Sequence, residues 1–263
     1  GAQPILNRYG FCLPHYDDAS MIYRDQAGDS PLPSARRLID GVIKGIEDGG
    51  NQSGIPTPQG FLMFDDRYRG KPLVFAGTVG LMPRRLPAGR DATIKGTQPG
   101  DAIIMVGGRV GKDGIHGATF SSVALDESSP ATAVQIGDPI TQKRLSDALI
   151  CELRDRGLIR ALTDNGAGGL SSSIGEMAEE TGGAEIWLDQ VPLKYPGLSP
   201  WEIWISEAQE RMSLAVQPEN VQAVVDHFAS RGVEATEIGQ FTDSGTLVAT
   251  WNDQQAMALD MAF

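Results

Sequence analysis

Glycine is the residue that most constrains this chain. There are 32 in 263 residues, about 12% where ~7% is usual, and they do not form low-complexity runs. They cluster in short turns between apolar stretches, where the backbone must take positive φ or pass close to a neighbouring segment. The apolar stretches supply the elements. Ser34 is placed to cap a helix from Ala35 to about Asp48, with Leu38, Ile39, Val42, Ile43 and Ile46 on one face and Gly49-Gly50 ending it. The loop 51–60 follows, then strand-like runs at 61–64 and 73–82. Asp101–Val106 (DAIIMV) reads as a buried strand, and 138–156 as a helix with Leu145, Leu149 and Leu153 on one face. A short strand at 159–163 precedes a helix at 171–181, and 218–230 is a helix with Pro218 in its first turn. Strands are expected at 186–188, 212–216, 234–238 and 247–251. The first forty residues give only turn signals.

Helices and strands alternate irregularly, which points to an α/β fold, an α+β sandwich with helices covering one face of a mixed sheet. No G-x-G-x-x-G joins a strand to a helix, which argues against a simple Rossmann fold. Residues 83–100 are rich in Pro, Gly and basic side chains and place a domain boundary near residue 97. Gly1-Ala2-Gln3-Pro4 opens without an initiator Met, in what reads as a turn, so the chain looks like part of something longer.

Composition excludes several classes. With 41% hydrophobic and 21% charged residues this is no disordered tail, and no run reaches the ~20 apolar residues of a membrane span. A formal charge of −12 works against phosphate-backbone binding, so neither nucleic acid nor membrane is an expected partner. Cys12 and Cys151 cannot build a disulfide framework, read as packing residues, and with no signal peptide fit a cytoplasmic setting. His15, His116 and His227 are scattered, without zinc-ligand spacing, and His116 reads as structural.

Two segments carry candidate chemistry. Gly107–Ser122 (GGRVGKDGIHGATFSS) follows a strand, and its N–H groups either face a phosphate or close a structural turn; it lacks Walker A spacing. Thr163–Met177 (TDNGAGGLSSSIGEM) places Asp164 at a strand end, before a Gly-rich turn and a helix start. A carboxylate there either holds Mg²⁺ beside a phosphate on the helix N-terminus or caps the turn. Gln135 in AVQIGDP, and Glu207 and Gln209 in ISEAQERM, lie at the edges of apolar runs. They either orient a sugar hydroxyl or amide or are ordinary solvated polar groups. The residues alone describe an acidic α/β protein that binds a phosphorylated ligand with a divalent cation, and they name no reaction.

Six segments in order (NQSGIPTPQG, GGRVGKDGIHGATFSS, VQIGDP, TDNGAGGLSSSIGEM, VPLKYPGLSPWEI and SEAQERM) resemble the formylglycinamide ribonucleotide amidotransferase, or phosphoribosylformylglycinamidine synthase, family. Its synthetase part belongs to the aminoimidazole ribonucleotide synthetase superfamily. The resemblance spans nearly the whole chain and is to the first of two tandem synthetase halves. It implies the back part of an N-type domain over residues 1 to about 85 and a complete C-type domain from about 98. The implied activity is that of a ligase of purine biosynthesis, in which formylglycinamide ribonucleotide, ATP and glutamine-derived ammonia give formylglycinamidine ribonucleotide through an iminophosphate. Implied cofactors are Mg²⁺ and ATP, and implied partners are a glutaminase domain or subunit and the second synthetase half.

By position in the motifs, the resemblance makes Asp164 a Mg²⁺ ligand and Gln135, Glu207, Ala208 and Gln209 substrate contacts. Ala208 stands where the family usually has Ser, which removes any hydroxyl contact there. The family's catalytic His and Gly-rich ATP segment match nothing in this sequence, so no catalytic residue is assigned and the isolated chain is expected to be inactive. Two rival readings remain: another synthetase or kinase of the superfamily (aminoimidazole ribonucleotide synthetase, selenophosphate synthetase or thiamine-monophosphate kinase), and a non-catalytic assembly domain.

Overall fold

A computed structural model of the chain describes residues 1–23, 31–87, 89–115, 117 and 137–262. It separates into two units, one of Ala2–Leu81 and one of the described residues from Met82 onward, with Gly1.

In the first unit, β1 (Gln3–Leu13) lies between β2 (Gln59–Phe64), its parallel partner, and β3 (Leu73–Leu81), its antiparallel partner. β1 was not anticipated, because Pro4, Asn7 and Gly10 interrupt its apolar pattern. α1 (Ala35–Ser53) starts as expected, with Ser34 Oγ accepting the Arg37 N–H at 3.3 Å, but does not stop at Gly49. It runs to Ser53 and ends on Gly54 at φ 67°, whose N–H donates to the Gly50 carbonyl. Burial is sparse in this unit. Phe11, Cys12 and Leu13 are inside, while Phe61, Phe75 and Leu81 are each more than half exposed. A cavity of about 590 Å³ separates α1 from the sheet, lined by Tyr9, Phe11, Ile43, Ile46 and Leu62 with only Glu47 charged.

Among the described residues, the second unit carries a sheet of seven strands in the order β10-β9-β6-β8-β4-β7-β5. These are β4 (Ala102–Gly107), β5 (Ala161–Asp164), β6 (Ala184–Trp187), β7 (Arg211–Val216), β8 (Ala235–Phe241), β9 (Thr246–Trp251) and β10 (Gln254–Asp260). Only β6 and β9 pair in parallel; every other neighbouring pair is antiparallel. The sheet is mixed and helix-covered, as expected, but on both faces. Ile103 and Met105 pack in one core with Leu170, Ile174 and Met177 of α3 (Gly169–Ala178) and with Ile203 and Trp204 of α4 (Pro200–Ile205). Ile104 and Val106 pack in the other, with Leu145 of α2 (Pro139–Ser146), Leu149 and Leu153 of the π-turn that continues it, and Val224 and Phe228 of α5 (Val221–Ser230). Burial on both sides is why DAIIMV is a continuous apolar run.

The segment 86–97 is tied to this unit. Arg90 donates to the carbonyl of Arg160 at 2.6 Å, Lys95 pairs with Glu176 at 3.0 Å, and the Thr97 N–H reaches Glu180 at 2.8 Å. Cys151 is exposed, against the expectation that it packs inside. It follows Ile150 on the π-turn, where Ala148, Leu149, Ile150 and Leu153 are buried.

Candidate functional site

β5 and β7 pair antiparallel, with Asp164 opposite Met212. This register makes neighbours of the turn after Asp164 and the loop 206–211 that leads into β7. Together with Gln142 and Ser146 of α2 they enclose a cavity of about 170 Å³, whose polar lining includes Asp164, Asn165, Gln209, Glu210 and Arg211. Asp164 and Gln209 are thus brought to one place from separate motifs.

Asp164 is exposed at the end of its strand. Its Oδ1 accepts the Gly166 N–H at 3.0 Å, the turn-capping bond that Asp before a Gly-rich turn tends to make. Among the described residues this is the one hydrogen bond of the carboxylate, which leaves Oδ2 open at the cavity. The turn behind it is tightly fitted: Gly169 has φ 59°, and a Cβ there would lie 2.1 Å from the Ser206 carbonyl oxygen.

Glu207 and Ala208 are buried. Glu207 Oε1 accepts the N–H of Gly168, which precedes α3, at 3.2 Å, a favourable position for a carboxylate at a helix N-terminus. Ala208 donates its N–H to Ser206 Oγ at 3.2 Å, and its carbonyl accepts from Arg211 Nε at 2.7 Å. Gln209 is half-buried, its Nε2 donating to the Glu207 carbonyl at 3.3 Å. Gln135 and His116 lie outside the described residues.

Two residues of this loop were not singled out from the sequence. Arg211 is 3% exposed, and its guanidinium donates to the carbonyls of Ser206 and Ala208, on either side of Glu207. Among the described residues no carboxylate pairs with it, and burial pulls its pKa down to about 10. Glu210 takes a left-handed backbone at φ 55°, uncommon for a residue with a Cβ. Its carboxyl is held above the usual range, chiefly by burial and further by nearby Asp138, although the Asp138 N–H donates to it. Nothing local in the sequence marks either feature.

Several amides of the Gly-rich run are spent on bonds within the fold. The N–H groups of Gly107, Gly108 and Val110 donate to the carbonyls of Glu234, Glu210 and Pro192, and that of Lys112 to the Tyr195 hydroxyl. Ser206 Oγ donates to the Gly111 carbonyl at 2.7 Å, and Lys112 pairs with Glu202 at 2.9 Å. The Gly108 N–H and the Gly111 carbonyl tie the run to loop 206–211, and the other hydrogen bonds tie it to Glu234 and to 192–195.

A family model described as "AIR synthase related protein, C-terminal domain" matches residues 98–252. The phosphoribosylformylglycinamidine synthase subunit PurL of Salinibacter ruber is 40% identical over 230 residues, 86% of this chain and 30% of that protein. The structure of T. maritima PurL complexed with FGAR aligns with TM-score 0.78 and 28% identity over 99% of this chain and 39% of that one. The same protein complexed with ATP aligns at TM-score 0.72 and 26% identity, over 99% of this chain and 37% of that one. The chain therefore spans about 30% of the length of the curated relative it matches. With more than half of its residues matched by one family model, the chain belongs to the AIR-synthase-related family and carries that family's C-terminal domain.

Proposed function

We propose that this chain is part of an ATP-dependent ligase of purine biosynthesis that converts formylglycinamide ribonucleotide to formylglycinamidine ribonucleotide. The observation that carries this reading is the meeting of Asp164 and Gln209, from two separate motifs, at one cavity. A relative named phosphoribosylformylglycinamidine synthase subunit and a neighbour complexed with FGAR support it. In this reading ATP phosphorylates the formamide oxygen, and ammonia made from glutamine by a glutaminase partner displaces phosphate from the iminophosphate.

In this reading Gln135 and the tripeptide Glu207, Ala208 and Gln209 would contact the ribonucleotide, and Asp164 would hold Mg²⁺. The residues present fit a magnesium–nucleotide rather than a closed metal cage. Among the described residues no group of three or more His, Cys, Asp or Glu is gathered for a metal, and Asp164 offers one open oxygen. Magnesium commonly takes one or two protein carboxylates and fills its octahedron with water and phosphate oxygens. When bound, it neutralises phosphate charge. The chain's own contribution is to hold that carboxylate and the polar groups of loop 206–211 in fixed relation. We further propose that the domains divide as 1–85 and 98–263, joined by 86–97, and that a second synthetase half completes the enzyme, which acts in the cytoplasm. Among the described residues no helix is long and apolar enough to cross a membrane.

The test is ADP release by a full-length synthetase carrying this sequence, given formylglycinamide ribonucleotide, Mg²⁺-ATP and ammonium. The reading expects Asp164→Asn to lower release by at least about 100-fold, beyond what loss of an outer partner brings, and Gln135→Ala to raise KM for the ribonucleotide. Release unchanged in both variants would remove the site assignment. Release only with a different phosphorylated substrate would leave the superfamily alone standing.

A further inference from the structure

Asn165 follows Asp164, lines the same cavity, and is 3% exposed. Its backbone N–H donates to the Arg211 carbonyl at 3.0 Å, and its Oδ1 accepts from Ser213 Oγ at 2.8 Å. Ser213 Oγ in turn lies 3.0 Å from Ser173 Oγ, whose own carbonyl partner is Leu170. This hydroxyl row holds the oxygen end of the amide. The Nδ2 end is buried without a hydrogen-bond partner among the described residues. A buried amide donor left unpaired destabilises the fold, and such groups are rare in native proteins.

We propose that Asn165 is a ligand-binding residue, whose Nδ2 donates a hydrogen bond to an oxygen acceptor of the ribonucleotide bound in this cavity. The inference rests on the function proposed above and adds to it a contact from the turn, opposite the loop that carries Gln209. An oxygen acceptor follows from the donor chemistry of the free –NH₂. The ribonucleotide rather than ATP follows from the shared cavity with Gln209, part of the proposed substrate tripeptide.

The test uses a full-length synthetase carrying this sequence, with Asn165→Leu, Asn165→Asp and, as reference, Gln209→Ala. Asn165→Leu keeps the shape and removes the unpaired donor. Asn165→Asp keeps an oxygen for Ser213 and replaces the donor with an acceptor. The expected result is a melting temperature at or above wild type for Asn165→Leu, with KM for formylglycinamide ribonucleotide raised about 10-fold or more, the scale of losing a polar contact at a buried site. KM for ATP stays within about twofold. In Asn165→Asp the ribonucleotide KM rises at least as far. A purely structural amide would give the reverse, lower melting with unchanged KM, and that result overturns the proposal, as does loss of folding in both Asn165 variants. A rise in KM for ATP alone also overturns it, because the donor would then serve a nucleotide phosphate. Gln209→Ala separates the two levels. If it raises the ribonucleotide KM while Asn165→Leu does not, only this inference fails; if neither moves KM, the reading of the cavity as the substrate site fails with it.

Discussion

The carboxylate of Glu207 accepts the backbone N–H of Gly168, 39 residues earlier in the chain. Loop 206–211 also holds the turn after Asp164 through the bond from the Asn165 N–H to the Arg211 carbonyl. Between them Gly169 passes the Ser206 carbonyl too closely for a side chain. The turn and the loop behave as one piece, and their relative position is set by backbone contact.

Gly169→Ala tests that fit. Its left-handed backbone alone costs a residue with a Cβ about 1–2 kcal/mol, and the contact with the Ser206 carbonyl adds to this. Denaturant unfolding of the chain should show the loss as a lower midpoint with an unchanged slope. A midpoint equal to wild type would mean that the turn and loop are not in contact.

Arg211→Lys should also destabilise. An ammonium cannot reproduce the planar fork that reaches the Ser206 and Ala208 carbonyls together. One buried acceptor left unpaired costs about 1–3 kcal/mol. Hydrogen exchange should locate the loosening at the amides of 206–209, and exchange unchanged there would show that the guanidinium does not brace the loop.

The pair Glu202 and Lys112 predicts a pH dependence. The Lys112 ammonium, followed by the Ser199 N–H and hydroxyl, pulls the Glu202 pKa down to about 2 from an ordinary value of 4.5. A carboxylate depressed on folding contributes stability that is fully present above the unfolded pKa and is lost as pH falls through the folded one. Wild type should therefore lose stability faster than Glu202→Gln as pH falls from 4.5 toward 2, with the two curves parallel above pH 5. Parallel curves throughout would mean that the ion pair is absent in solution.

As part of the proposed ligase, spanning about 30% of the length of a curated relative, the isolated chain is expected to release no ADP from ATP with formylglycinamide ribonucleotide, Mg²⁺ and ammonium. A coupled assay at high protein concentration would detect turnover, and substrate-dependent release would place the catalytic machinery within these residues.

Much of the second unit was legible because its signals are local. Ile103 to Val106 announce a buried strand, Asp138 and Pro139 announce a helix start, and Leu145, Leu149 and Leu153 mark one face. What escaped was short or at an edge. α4 has six residues, too few for periodicity, although Ser199 and Glu202 form a capping box that could have revealed it. β10 is largely exposed and shows little alternation. Its hairpin was signalled only by Asn252 and Asp253, which take positive φ as a two-residue turn requires. At the site, Asp164 stood out because a strand end and a glycine turn flank it. Arg211, Glu210 and Asn165 did not, because their roles come from tertiary burial, which spacing does not encode.

β4 lies between two apolar cores, and this bears on how its alignment is specified. In a sheet with one wet face, a strand that slips by one residue exposes its apolar set and is rejected by water. Here a slip would exchange Ile103 and Met105 for Ile104 and Val106, oil for oil. Solvent therefore discriminates poorly between alignments, and steric features must do so. One lies where β4 meets β8: the register shifts between Ile103 and Ile104 beside Gly239, where a Cβ would come within 2.1 Å of the Glu185 carbonyl oxygen. A glycine remote from the cavity thus lets β8 approach β6 at the irregularity beside β4, and the alignment of β4 is carried through the β4–β7 and β7–β5 ladders to the level at which Asp164 emerges.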